Sequence, residues 1–99
     1  MRLLKREFRA WLESKPKRAI VGETWYWYDG PISRWASVAI RPRLDGCLRG
    51  GTYSRRAGLS EGPRRPLPKW VEDFAIRLCG LSESRITAAR ALRILDGEE

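Results

Sequence analysis

The segment WYWYDGPISRW, residues 25 to 35, holds five of the ten Phe, Trp and Tyr residues of this 99-residue chain. Aromatic side chains dominate the energetics of a core, so where these rings go decides how many layers the fold needs. Residues 19 to 28 are rich in β-branched and aromatic types and stop at Asp29-Gly30-Pro31, a turn signal, which predicts a strand. Along a strand successive side chains alternate, so Trp25 and Trp27 share one face, and Tyr26 and Tyr28 share the other. All four are core only if both faces of the sheet are covered. The expectation is that the tryptophans pack under helices while the tyrosines, with a polar tip, stay partly exposed.

Helices to cover them are legible on either side. Leu4, Phe8, Trp11 and Leu12 recur at helical spacing, predicting an amphipathic helix over residues 2 to 14 that Pro16 stops. Towards the C-terminus, Pro68 suits a first helical turn, Trp70, Val71, Phe74 and Leu78 give the apolar stripe, and Gly80 ends it. Ser82 or Thr87 caps a last helix ending near Leu95, with Ala89, Leu92 and Leu95 inward and Arg90 and Arg93 outward. Residues 31 to 36 read as a helical turn running into a strand at 37 to 41. Cys47, Leu48, Thr52 and Tyr53 suggest a further strand or hairpin. Residues 54 to 66 read as a mobile basic loop, and 96 to 99 as a frayed acidic tail. The fold class expected is α+β: a small single domain over 1 to 99 with an N-terminal amphipathic helix, a short antiparallel sheet of two to four strands and a C-terminal helical hairpin.

Charge is the second strong signal. Lys and Arg exceed Asp and Glu by eight, and the excess is uneven: residues 1 to 69 carry 16 basic and 6 acidic side chains, residues 70 to 99 carry 4 and 6. An anionic partner is implied, and its site belongs to the first two thirds. Arg2, Lys5, Arg6 and Arg9 form a stripe on the polar side of the first helix, continued by Lys15, Lys17 and Arg18. The loop adds the pairs Arg55-Arg56 and Arg64-Arg65. Phosphate contacts are expected from Arg2, Lys5, Arg6, Arg9, Lys17, Arg18, Arg55, Arg56, Arg64 and Arg65, with Tyr26, Tyr28 and Trp35 as stacking platforms for bases. A solvated helix face and a soluble loop fit the same residues.

Enzyme chemistry finds little footing, and neither a cofactor nor a metal site is expected. The chain has no histidine, and Cys47 and Cys79, 32 positions apart, read as reduced thiols. Glu23, Asp29 and Asp45 are the acids a metal-dependent nuclease would use, but they also read as turn and edge residues. Residues 75 to 92 resemble a helix-turn-helix with Gly80 in the turn and Ser84, Arg85, Thr87 and Arg90 facing a groove. A structural helical hairpin fits them better, since Ile76 and Ala89 depart from the motif and residues 70 to 99 are net negative. With no signal peptide or membrane span legible, the expected location is cytoplasmic.

The stretches FRAWLESKPKRAIVG (8 to 22), LPKWVEDFAIRL (67 to 78) and ITAARALRIL (86 to 95) together resemble a family of small uncharacterised bacterial and phage proteins. The resemblance implies helices over 31 to 36 and 88 to 95. The family's cysteine-proline pair is replaced by Gly30-Pro31, and its Thr-x-x-Glu cap by Thr87-Ala-Ala-Arg90. The expected function is non-catalytic nucleic-acid binding. The alternative is a small basic interaction protein covering an acidic protein face, such as a phage inhibitor of a host nucleic-acid-processing protein.

Overall fold

A computed structural model describes residues 3–24, 30–39, 44–47, 52–57, 60–61 and 65–97, with backbone and register alone for the segments between 44 and 61. Its elements are α1 (Lys5–Glu13), β1 (Ile20–Glu23), α2 (Pro31–Ala39), β2 (Leu44–Cys47), β3 (Thr52–Ala57), β4 (Ser60–Glu61), β5 (Arg65–Pro66), α3 (Lys69–Cys79), β6 (Arg85–Thr87) and α4 (Ala88–Leu95). The fold is α+β, as expected.

Phe8 organises the core. It is fully buried in the middle of α1 and meets four rings: Trp11 on its own helix, Trp35 from α2 at 5.3 Å, and Trp70 and Phe74 from α3 at 5.6 and 5.3 Å. Leu12, Val21, Val71, Leu78, Ile86, Ala91 and Ile94 complete the cluster. A buried indole N–H needs an acceptor, and Trp70 Nε1 donates to the Leu3 carbonyl at 3.0 Å, tying α3 to the entry of α1.

Two antiparallel sheets form where one was expected. Among the described residues β1 pairs with β6 alone, and β3 is the centre of the other, pairing with β2 on one side and with β4 and β5 along its length. The β1–β6 register shifts by one residue between Ile20 and Gly22, a bulge that leaves Val21 and Gly22 both buried in sequence. The β2–β3 hairpin agrees with the strand signal around Cys47 and Tyr53. Residues expected to form a basic loop instead extend β3 to Ala57 and supply β4 and β5.

The helices also depart from expectation in places. α2 continues to Ala39, so a strand does not begin at 37; Pro31, Trp35 and Ala36 are buried at helical spacing, and packing settles the ambiguous pattern. The inward face of α4 is Ala88, Ala91, Ile94 and Leu95, with Ala89 and Leu92 half-buried. Between α3 and α4 the chain is not a bare turn. Arg85 to Thr87 form β6, so Ser84 and Arg85 do not sit on a recognition helix and the helix-turn-helix resemblance fails. The long-range pairing with β1 overrides the local helical pattern. Residues 25 to 29, and with them the faces of the four alternating rings, lie outside the described residues.

Phe8→Ala should destabilise the domain by about 3–5 kcal/mol in urea unfolding, since it removes the shared contact of three helices. A loss below about 1 kcal/mol would contradict the hub assignment.

Candidate nucleic-acid interface

The first four N–H groups of a helix lack intrahelical acceptors, and in α4 two of them hold the chain that follows α1 while a third is capped by Thr87. Ala88 N–H donates to the Ala19 carbonyl at 2.9 Å, Ala89 N–H to the Lys17 carbonyl at 3.0 Å, and Arg90 N–H to Thr87 Oγ1 at 3.3 Å. The threonine cap forms without the glutamate of a capping box. These bonds fix residues 17 to 19 against α4 and close its N-terminus to any external anion. On the other side, the end of α1 is fixed by Ser14 Oγ donating to the Trp11 carbonyl at 2.6 Å and Lys15 N–H donating to the Leu12 carbonyl at 3.1 Å.

Between these anchors lies Lys15-Pro16-Lys17-Arg18, all four exposed. Lys17 and Arg18 make no ion pair among the described residues. Lys15 places its ammonium 5.2 Å from the centroid of the Trp11 ring, which is half-buried and carries Phe8 stacked at 6.1 Å. Pro16 interrupts the helix, and the three cations stand on a short backbone that is hydrogen-bonded at both ends.

The stripe on α1 is less available than its spacing suggests. Lys5 and Arg6 are exposed. Arg9 is not free: its Nε lies 3.3 Å from Glu13 Oε1 and its Nη1 bonds Asp96 at the end of α4. Arg2 and Arg64 lie outside the described residues. Arg55 and Arg56 stand in β3 opposite Leu44 and Glu61, while Arg65 is exposed in β5 opposite Tyr53. The structure therefore brings Lys15, Lys17 and Arg18 together, with Lys5 and Arg6 about 13 Å away at the other end of a nine-residue helix.

The stacking platforms fare worse. Trp35 is 2% exposed, held by Phe8 and by Trp70 at 6.2 Å, and offers no face to a base. Its helical position turns it into the aromatic core. Tyr26 and Tyr28 lie outside the described residues. Lys15 was expected only to continue the basic stripe; four residues after Trp11, it stands over that ring at the end of α1.

Acids elsewhere are engaged or isolated. Glu83 pairs with Arg90 at 2.5 Å, and Thr24 donates its hydroxyl to the Glu83 carbonyl at 2.8 Å, pinning the approach to β6. Glu23 stands opposite Arg85 across β1–β6, Asp45 opposite Ser54, and Asp29 lies outside the described residues. Among the described residues no group of three or more His, Cys, Asp or Glu could hold a metal. Cys79 is an exposed free thiol. No described helix is long and apolar enough to cross a membrane. No family model, curated protein or solved structure matches the chain.

The Glu83 carboxyl is held below its ordinary value of 4.5, first by a hydrogen bond from its own backbone and then by the Arg90 guanidinium. A depressed folded value means that this contribution to stability is fully present above pH 4.5 and is lost as pH falls through the lower folded value. Glu83→Gln should flatten the dependence of the urea midpoint on pH between about 6 and 3; a dependence identical to that of the parent protein would contradict this.

Proposed function

We propose that this chain binds nucleic acid without catalysis, by its phosphates, along a basic edge made of Lys15, Lys17 and Arg18 with Lys5 and Arg6 as outlying contacts, and that it works in the cytoplasm. The observation that carries the reading is the exposed segment 15–18, in which three cations on four residues are held at both ends by backbone hydrogen bonds. Preorganised cations lose little freedom on binding, and each phosphate neutralised releases condensed counterions. Trp35 offers no face to a base and Tyr26 and Tyr28 lie outside the described residues, so the reading is of backbone contact.

A second reading, an interaction protein that docks on an acidic protein face, is favoured by Ile20 and Val38. They are 44% and 61% exposed on β1 and α2, two elements that Arg34 links by donating to the Ile20 carbonyl at 3.4 Å. An apolar anchor beside cations suits a protein surface better than a phosphate chain.

The double variant Lys17→Glu/Arg18→Glu should lower affinity for a labelled oligonucleotide at least tenfold at low salt and reduce the slope of log K against log salt by about 1.4 to 1.8. Parent affinity no tighter than about 10⁻⁴ M at low salt, or binding indifferent to salt, sinks the nucleic-acid reading. Recovery of one stoichiometric protein partner after nuclease treatment, lost in Ile20→Asp, would establish the second reading in its place.

A further inference from the structure

Arg9 occupies the place on α1 between Lys5 and Glu13, one turn from each, and it would extend the basic edge proposed above were it not already paired. Its partner across the fold is Asp96, 87 positions away, the residue that follows α4. Asp96 is well positioned for this. The Gly97 N–H donates to the Ile94 carbonyl at 3.0 Å, Gly97 takes φ +77° in the left-handed region, and Arg77 Nη1 donates to that same Ile94 carbonyl at 3.1 Å. The end of α4 is thereby locked with its carboxylate facing α1.

Beside this pair lies a cleft of about 160 Å³, lined among others by Lys5, Trp70, Asp73, Phe74, Arg77 and Asp96. Lys5 makes no ion pair among the described residues although two carboxylates line the same cleft. Arg9 and Asp96 keep 41% and 33% of their side-chain surface in solvent. Pairs this exposed are weak and screened, so a competing anion can reach the guanidinium and replace the carboxylate. With Asp96 turned away, Lys5 and Arg77 would face the cleft against Asp73, and Arg9 beside it would keep Glu13 as its acidic neighbour.

We propose that Lys5 and Arg9 form a phosphate subsite which Asp96 fills in the free protein, an internal anion that the nucleic-acid backbone must displace. The inference rests on the nucleic-acid reading above and adds regulation to it: the pairing holds back one cation of the site, and removing the Asp96 charge strengthens binding at a given salt concentration. The phosphate takes the place of one carboxylate oxygen on the Arg9 fork, a geometry the guanidinium accepts from either anion.

The test titrates a labelled oligonucleotide at several salt concentrations into the parent chain, Asp96→Asn, Arg9→Gln, the double variant and Glu23→Gln, which removes one negative charge from β1. Asp96→Asn should bind about three- to tenfold tighter at low salt with a slope steeper by about 0.7 to 0.9, one more phosphate contact. Arg9→Gln should abolish that gain while changing the affinity of the parent chain little, because there the phosphate contact at Arg9 is offset by the Asp96 pair it breaks. A gain in Asp96→Asn no larger than in Glu23→Gln, or one that survives Arg9→Gln, overturns the inference, and urea midpoints of each variant show whether the fold is intact. If the parent chain binds and loses affinity in Lys17→Glu/Arg18→Glu while Asp96→Asn equals the parent, the inference alone fails. If the parent chain shows no salt-dependent binding, the functional reading falls and takes the inference with it.

Discussion

The burial of Phe8 among four other rings is the constraint on which the rest of this structure depends. A chain of 99 residues buries only about 60 to 70% of its unfolded surface, so a few large side chains must do most of the work. Here α1, α2 and α3 converge on one phenyl ring, and each brings a tryptophan to it. Aromatic pairs add about 0.5–1.5 kcal/mol each beyond their buried area, so the convergence is cooperative in effect. The same economy has a functional cost. Trp35, on α2, is consumed by the core, and the described surface left to meet a partner offers cations and the exposed Ile20, Val38 and Ile76.

The second determinant is the N-terminus of α4. Its unpaired N–H groups could have bound an anion, yet they are given to the Lys17 and Ala19 carbonyls. The polar requirement of one helix thus positions the basic segment that ends another. Threading residues 17 to 19 over α4 also sets β1 beside β6, since Ala19 leads directly into the strand that pairs with Thr87. Local backbone satisfaction, sheet pairing and the placement of charge are one arrangement here, and Lys15, Lys17 and Arg18 project from its rigid part.

Much of this was legible in the residues. The 3.6-residue spacing of Leu4, Phe8 and Leu12 located α1, Pro16 its end, and the pair Ser82 or Thr87 included the cap of α4, which is Thr87, because each is a short-range rule. The failures share a cause, which is distance along the chain. β6 is three residues long and exists through its pairing with β1, more than sixty positions earlier, so no local pattern announces it. Trp35 reads as a stacking ring because arginines are interleaved with the aromatics around it, and its packing on Phe8 and Trp70 takes it into the core. Arg9 fits the basic stripe by spacing, and its withdrawal by Asp96 depends on a tertiary contact between residues 87 positions apart.

The most direct measurement of the account is a titration of the ¹⁵N-labelled protein with a short duplex oligonucleotide at low salt, followed by amide chemical shifts. The account predicts fast-exchange shifts concentrated at Lys15, Lys17, Arg18 and Ala19, with smaller ones at Lys5 and Arg6, while the indole signal of Trp35 and the amides of Glu72 and Ile76 stay in place. Shifts centred on α3, or none at all at saturating oligonucleotide, would contradict it.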